Sequence, residues 1–182
     1  DHLPPGSTFS YNGNCVHLLS MIITQATGDT LEEYGRKHLF GPLGITQYTW
    51  NGAYGFTFGA DALYLTNRDM AKFGFLYLKE GAWGKKQIVP LEWVKDSTQH
   101  KVDLPQGLLS RSGGGYGFQW WMFSTHSYSG YMASGIGGPY LCVVPDLGLV
   151  IVITSEDFHS GRLGFTPHLS ILDDYIVPAI IK

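Results

Sequence analysis

The 182-residue chain is 44% apolar and 15% charged, and its net charge is −3. This composition supplies enough apolar side chains for a buried core and excludes a disordered chain. The basic residues are scattered along the sequence, so no nucleic-acid-binding surface is indicated. No apolar run approaches the ~18 residues that a membrane-spanning helix needs.

The beginning of the sequence predicts two helices. In the first, five apolar residues follow the spacing of a buried helix face, and Gly28 is placed to end the helix. These five residues are Leu18, Leu19, Ile22, Ile23 and Ala26. Thr30 and Glu33 form a capping box that begins the second helix, which we expect to stop before Gly41-Pro42.

The middle of the sequence combines an irregular stretch with two further helices. Residues 41–65 are rich in glycine and aromatic residues and are expected to be irregular. A third helix is predicted from Thr66, whose hydroxyl can cap it, as far as Gly81. Its apolar stripe consists of Met70, Phe73, Leu76 and Tyr77. A short helix is predicted from Pro90.

The spacing of the apolar residues changes to that of strands after residue 115. Residues 116–123 and 131–136 each predict a strand, and residues 140–154 predict a β-hairpin. The hairpin is apolar almost throughout, which favours a sheet covered on both faces. A last helix, over about residues 169–181, is expected to pack on that sheet.

This order of elements predicts an α+β fold, in which helices are followed by antiparallel sheet strands and a C-terminal helix packed on the sheet. We expect residues 1–182 to be the C-terminal portion of a single domain. Residues 1–110 would form its mainly helical and irregular part, and residues 111–182 its strands and last helix. The chain starts at Asp1 and not at a methionine, so we expect it to be cut from a longer protein.

Complete catalytic motifs are not found in the sequence. No serine stands in a G-x-S-x-G elbow, and no lysine follows a serine by three positions. No spacing of cysteine and histidine predicts a metal site. Two candidate segments remain. Tyr11 precedes the first helix, where its hydroxyl could point into a cleft or its ring could simply pack. Residues 133–138 end a strand, where glycines permit a substrate backbone to approach or allow an ordinary bend.

Several motifs occur in a familiar order. They are PGSTFSY at residues 5–11, LFGPLGI at 39–45, LYLTNRDMAKFG at 63–74, YGFQWW at 116–121, SGIGG at 134–138 and VVPD at 143–146. Together they resemble class C β-lactamase-like and penicillin-binding serine hydrolases and esterases, and the similarity covers nearly the whole chain. The resemblance implies a β-lactamase/transpeptidase-like fold, present here in part.

The resemblance also implies a reaction through a covalent seryl-acyl intermediate, without a cofactor or a metal. Family enzymes take the nucleophilic Ser and a Lys from a Ser-x-x-Lys motif, which would lie before Asp1. That missing segment is therefore an expected partner of this chain. Tyr11 matches the family's catalytic Tyr, which helps to pass the proton from Ser to the leaving group. The family often has Asn or Ser two residues later, whereas this chain has Gly13, with Asn12 and Asn14 beside it.

The third family motif reads Lys-Thr-Gly or His-x-Gly, and here it is Ala133-Ser134-Gly135. The cation that attracts a substrate carboxylate is absent, unless Arg111 or another residue supplies one. Esters or neutral amides are therefore expected in preference to β-lactams. Ile136 falls where a backbone N–H completes the oxyanion hole.

Four further residues are candidates for a substrate pocket, namely Asn12, Tyr54, Trp120 and Trp121. The aromatic ones would suit an apolar acyl group, but they could equally belong to the core. Three hypotheses follow for the chain. It is part of an enzyme acting on small esters, amides or β-lactams, a non-catalytic binding or sensing member of the same fold, or an inactive structural fragment.

Overall fold

The computed structural model describes residue 4 and residues 6–104, 114–155 and 169–181. The chain divides into two compact units, Asp1–Asp69 and Met70–Lys182. Arg111 lies outside the described residues.

The first unit begins with helix α1, Gly13–Thr27. Its N-cap is Asn12, whose side-chain oxygen accepts a hydrogen bond from the Asn14 N–H at 2.9 Å. At the other end, Gly28 adopts the left-handed conformation (φ 79°), and its N–H donates to the Thr24 carbonyl. The predicted helix and its glycine cap are confirmed.

Among the described residues, the predicted buried face of α1 is exposed, contrary to the prediction. Leu18, Leu19 and Ile22 are 56%, 49% and 60% exposed, and the side that packs is the one carrying Ser20. The Ser20 hydroxyl donates to the Thr57 carbonyl at 2.6 Å. The apolar residues of α1 follow the spacing of one face, but the described residues of this unit pack against the opposite side, which carries His17, Ser20 and Thr24.

Helix α2, Leu31–Gly35, continues into a π-helical turn, Arg36–Phe40. The predicted capping box is confirmed. The Glu33 N–H donates to the Thr30 hydroxyl at 3.2 Å, and the Thr30 N–H donates to the Glu33 carboxylate at 2.8 Å. This backbone hydrogen bond lowers the pKa of Glu33, because it favours the ionised carboxylate.

Four short strands lie where the sequence indicated irregular chain. Antiparallel pairs are formed by β1 (Tyr48–Trp50) with β4 (Leu63–Leu65) and by β2 (Gly52–Ala53) with β3 (Phe56–Thr57). Strands of two or three residues are too short to produce a recognisable alternation of apolar and polar residues.

Helix α3, Asn67–Leu78, starts at the end of the first unit and leads into the second. As predicted, Thr66 caps it, accepting a hydrogen bond from the Asp69 N–H at 3.2 Å. Beyond its end, the Gly81 N–H donates to the Leu76 carbonyl at 2.8 Å. A small hairpin of β5 (Ala82–Trp83) and β6 (Lys86–Gln87) follows, and then helix α4, Leu91–Ser97.

A six-stranded antiparallel sheet dominates the second unit, and its strand order follows the chain. The strands are β7 (Val102–Asp103), β8 (Gly115–Tyr116), β9 (Trp121–Thr125), β10 (Tyr128–Ser134), β11 (Tyr140–Val144) and β12 (Leu149–Ile153). The sheet therefore begins before residue 111. The hairpin of β11 and β12 is confirmed.

The single strand predicted over residues 116–123 is interrupted. The Gly117 N–H donates to the Trp120 carbonyl at 2.8 Å. Gln119 has a positive φ of 67°. This turn separates β8 from β9.

The core of the second unit forms where α3 lies on the sheet. Its cluster of buried side chains consists of Tyr77, Val94, Trp120, Tyr131, Leu141 and Val143. Met70 and Phe73, two predicted members of the α3 stripe, pack against this cluster. The apolar stripe predicted for α3 is therefore confirmed.

The C-terminal segment is helical, with a π-helical turn Leu172–Ile176 and helix α5, Val177–Ile180. Leu172 and Val177 are buried. A ring nitrogen of His126, in the turn between β9 and β10, lies 2.9 Å from the Asp173 carbonyl. The predicted α+β fold is confirmed. None of the helices in the described ranges has the length and apolar character of a membrane span.

Candidate active site

Tyr11 lies immediately before the N-cap of α1 and is 51% exposed. The cap that Asn12 provides fixes where the helix begins, and so it fixes the backbone next to Tyr11. The side-chain oxygen of Asn12, a predicted pocket residue, is engaged in that cap. Its amide nitrogen remains the group that could face a substrate.

Gly13 occupies the third position of the tyrosine motif and is the first residue of α1. A Cβ atom built on Gly13 would meet only the Ala60 Cβ, at 3.5 Å, an ordinary contact. The backbone there does not require glycine. A lack of space therefore does not explain why this chain has glycine at that position.

At the second candidate segment, strand β10 continues past its pairing with the described part of β9. Its pairing with β9 ends at Met132, opposite Trp121, whereas its pairing with β11 continues to Ser134, opposite Tyr140. On the β9 side, Ala133 and Ser134 thus extend beyond the ladder of described strands. An extended substrate could lie along such an edge.

A glycine-rich turn follows β10. The Gly135 N–H donates to the Pro139 carbonyl at 3.0 Å, and both Gly137 and Gly138 have positive φ. Ile136 is 71% exposed in this turn. Its N–H has no hydrogen-bond partner within the described part of the chain. The turn therefore presents a backbone donor at the predicted oxyanion position.

Ala133 and Ser134 point to opposite faces of the sheet, as consecutive strand residues do. Ala133 packs against the core cluster defined above. The Ser134 hydroxyl is buried without a hydrogen-bond partner among the described residues. A buried hydroxyl left unpaired costs about 1–3 kcal/mol, so this one is available to a further partner.

Tyr54 occupies the tip of the β2–β3 hairpin and is 99% exposed. Tyr54 and Gly55 both have positive φ, 53° and 82°. Positive φ is strained for a bulky residue such as tyrosine. Its pocket role stays a prediction.

Trp120 and Trp121 do not fit the predicted pocket role. They are only 4% and 2% exposed. The Trp120 ring packs 4.7 Å from Tyr77 and 5.1 Å from Tyr131, between centroids, and Trp121 packs 4.7 Å from Tyr116. Both rings are buried among the described residues, which favours core packing, the alternative that the sequence left open.

A surface cavity of about 630 Å³ lies within the first unit and was not predicted. Its lining includes Glu32, Arg36 and Tyr48, but none of the predicted site residues. Tyr48 donates a hydrogen bond to Glu32, and its pKa is raised to about 12, mainly by burial. No group of three or more His, Cys, Asp or Glu side chains in the described ranges is placed to hold a metal ion.

Comparison with known proteins identifies the family. The beta-lactamase family model matches residues 2–173, while no curated protein matches the chain. A solved structure described as a 6-aminohexanoate-dimer hydrolase from Bacillus anthracis is 26% identical, with a TM-score of 0.70, over 96% of this chain and 47% of that one.

Two other structures show the same fold at lower identity. The penicillin-binding protein homologue from Pyrococcus abyssi is 20% identical, with a TM-score of 0.76, over 97% of this chain and 44% of that one. A D-stereospecific amidohydrolase from Streptomyces sp. is 14% identical, with a TM-score of 0.64, over 85% of this chain and 52% of that one.

The chain spans about half the length of these solved structures. Their likeness confirms the β-lactamase/transpeptidase-like fold that the motifs implied. The family model covers far more than half of the chain. The chain therefore belongs to the beta-lactamase family.

Proposed function

We propose that the intact protein is a serine hydrolase that acts through a covalent seryl-acyl intermediate, and that residues 1–182 are the C-terminal portion of its single β-lactamase-like domain. The nucleophilic Ser and its Lys partner would come from a segment before Asp1. The observation that carries the proposal is the family match over residues 2–173, which includes Tyr11 at the exposed N-terminal end of α1.

The proposed chemistry divides into two half-reactions. The Ser hydroxyl attacks the substrate carbonyl, and its proton passes through Lys and Tyr11 to the leaving alcohol or amine as the old bond breaks. Water then attacks the seryl ester, and the proton it loses returns to the Ser oxygen as the acid is released. Tyr11 acts as a general acid–base group, a role that typically contributes 10²–10⁴-fold.

The negative charge that develops on the carbonyl oxygen needs hydrogen-bond donors. The Ile136 N–H, which has no partner within the described part of the chain, supports an oxyanion role for this residue. The second donor would be the N–H of the missing Ser. Because the Ile136 side chain is exposed, its identity should matter little to this role.

Neutral esters and amides are the proposed substrates. Ala133 provides no cation for a carboxylate, and its methyl group lies against apolar side chains. The Ser134 hydroxyl, buried and without a described partner, could donate to a polar group of the substrate. One fold relative is described as an amidohydrolase, which is consistent with an amide substrate.

A non-catalytic binding protein of the same fold is the second candidate. Gly13 and Ala133 both replace polar side chains of the family motifs, and these departures favour it. A preceding segment without Ser-x-x-Lys would support this alternative. An inactive structural fragment is the third possibility, and it concerns the isolated chain only.

The Tyr11→Phe variant of the intact protein tests the proposal. Acylation should fall by about 10²–10⁴-fold, because the variant lacks the hydroxyl that transfers the proton. The rate of labelling by a fluorophosphonate probe measures acylation, and thermal melts monitor the fold. The melting temperature should change little, because Tyr11 is half exposed.

Tyr175→Phe is the matched control, since Tyr175 is 72% exposed and belongs to the C-terminal helical segment. This variant should be labelled at the wild-type rate. Equal labelling of the Tyr11→Phe protein would show that Tyr11 is only a packing residue. If the wild-type protein is not labelled at all, the non-catalytic alternative is favoured.

A further inference from the structure

One face of α1 is apolar, uncharged and exposed. It carries Cys15, Leu18, Leu19, Ile22 and Ala26, spaced as i, i+3, i+4, i+7 and i+11, and all five are exposed. We call these five residues the outer face. At about 100° per residue they form one continuous stripe along the helix.

The opposite face of α1 is already packed within the first unit. Ser20 donates to the Thr57 carbonyl, and the His17 ring accepts a hydrogen bond from the Gly59 N–H at 3.1 Å. A Cβ built on Gly59 would lie 2.4 Å from the Val16 carbonyl oxygen, so the two segments are in close contact. This packed stripe lies about 180° round the helix from the outer face.

A surface helix normally turns its apolar side to the core and its polar side to water, whereas α1 packs with His17, Ser20 and Thr24 and leaves its apolar side exposed. Helix α1 contains no Asp, Glu, Lys or Arg over its 15 residues. A helix exposed to water on one side usually carries charges there, and α1 has none. The outer face therefore has the composition of an interior surface, although no described residue covers it.

We propose that the outer face of α1 is the surface on which the segment preceding Asp1 packs in the intact protein. The inference rests on the proposed function, which takes the nucleophile from that segment. The lengths of two fold relatives support this occupant. They match nearly all of this chain with only 47% and 44% of their own residues, so more than half of each relative has no counterpart in this chain.

The chemistry of the outer face favours a permanent partner. Interfaces that form and dissociate resemble ordinary protein surface in polarity, whereas obligate ones resemble a divided core. The outer face consists of Leu, Ile, Ala and Cys without a charge, so it resembles an obligate interface. A segment of the same polypeptide is always present and would cover it permanently. A second copy of the chain is the competing occupant.

Thiol labelling of the intact protein tests the proposal, with Cys15 as the native probe. N-ethylmaleimide modification, located by peptide mass mapping, should be at least about tenfold slower at Cys15 than at an exposed control cysteine, because Cys15 must first be uncovered by local opening. The control is Lys85→Cys, in the exposed turn between β5 and β6. Cys142 marks the unreactive limit, since burial raises the pKa of its thiol to about 12.

Labelling of Cys15 at the control rate would overturn the proposal. So would protection that disappears on dilution as a dimer dissociates, because a second copy would then be the occupant. Protection that is independent of concentration in a monomer supports packing by the preceding segment.

A pair of substitutions provides the second readout. Ile22→Glu should lower the melting temperature of the intact protein by several degrees, because a carboxylate would be buried in an apolar contact. Ile22→Leu, the matched control, should change it little. Glutamate is a better helix former than isoleucine, so Ile22→Glu on a solvated helix would be neutral or stabilising. That result would contradict the proposal.

The two proposals can fail separately. A protected Cys15 in a protein that no fluorophosphonate labels would leave the docking surface in place and remove the catalysis. A protein that the fluorophosphonate labels but whose Cys15 reacts freely would support the catalysis and contradict the docking surface.

Discussion

Ala133 is the residue on which the proposed substrate preference depends. Its methyl group packs against the core cluster near the end of β10. A lysine there would run its aliphatic stem along apolar side chains and bring its ammonium group towards the edge of the strand. Ala133 therefore supplies no cation at this position, whereas a lysine there would.

We predict that Ala133→Lys in the intact protein raises kcat/KM for nitrocefin relative to p-nitrophenyl butyrate. One charge-assisted hydrogen bond to the β-lactam carboxylate contributes about 1.5–3 kcal/mol, or roughly 10- to 150-fold. The larger side chain should also cost about 1–3 kcal/mol of stability by overpacking. Steady-state kinetics on both substrates and thermal melts measure the two effects.

Ala133→Met is the control, because methionine has similar length and no charge. It should reproduce the loss of stability without the gain on nitrocefin. A wild-type protein that already hydrolyses nitrocefin as efficiently as the ester would contradict the prediction. So would equal gains from Met and Lys.

Individual residues were predictable from the sequence where their function is local. The helix caps formed by Gly28 and by Thr30 with Glu33 were predictable, because a cap is built from residues three or four positions apart. Trp120 and Trp121 were not predictable in this way. Whether a ring faces a cleft or a core depends on side chains far away in sequence.

At the scale of elements, α3 shows how closely a helix can approach the sheet. A Cβ built on Gly74 would lie 2.6 Å from Leu141 Cδ1 and 2.7 Å from Val150 Cγ1. Leu141 is buried in the core cluster, so its side chain has little room to move. A glycine in the middle of α3 lets the helix backbone lie close to β11 and β12.

We predict that Gly74→Ala destabilises the intact protein, although alanine is the better helix former. Overpacking costs about 1–3 kcal/mol, whereas helix propensity returns about 1 kcal/mol. Gly13→Ala is the matched control. Its new Cβ meets only Ala60 at 3.5 Å, so it should be neutral or stabilising by about 0.5–1 kcal/mol. Urea unfolding compares the two, and equal stability of both variants would refute the close approach.

Long elements were predictable and short ones were not. Helix α3 and the β11–β12 hairpin are long enough for the spacing of their apolar residues to indicate a helix or a strand. Strands β1 to β4 have two or three residues each and lack a readable period. For α1 the helix was predictable but its packed side was not, because the side that packs within the first unit is polar and the apolar side is exposed.

At the scale of the molecule, the proposed chemistry depends on a segment that this chain does not contain. No lysine in the sequence follows a serine by three positions, so residues 1–182 contain no Ser-x-x-Lys motif. Family membership was predictable from the order of the motifs, whereas the proposed activity would require residues beyond this sequence.

We therefore predict that the isolated 182-residue chain has no serine-hydrolase turnover. Tyr11 would have no Ser to deprotonate, and the Ile136 N–H would stabilise an oxyanion that never forms, because a covalent mechanism requires its nucleophile. Hydrolysis of p-nitrophenyl butyrate by the purified chain should equal the buffer rate. Mass spectrometry must first exclude a longer contaminating chain that could supply the missing motif. A rate well above buffer that disappears when a single residue of this chain is substituted would mean that the nucleophile lies within residues 1–182, and the proposed origin of the catalytic Ser would then be wrong.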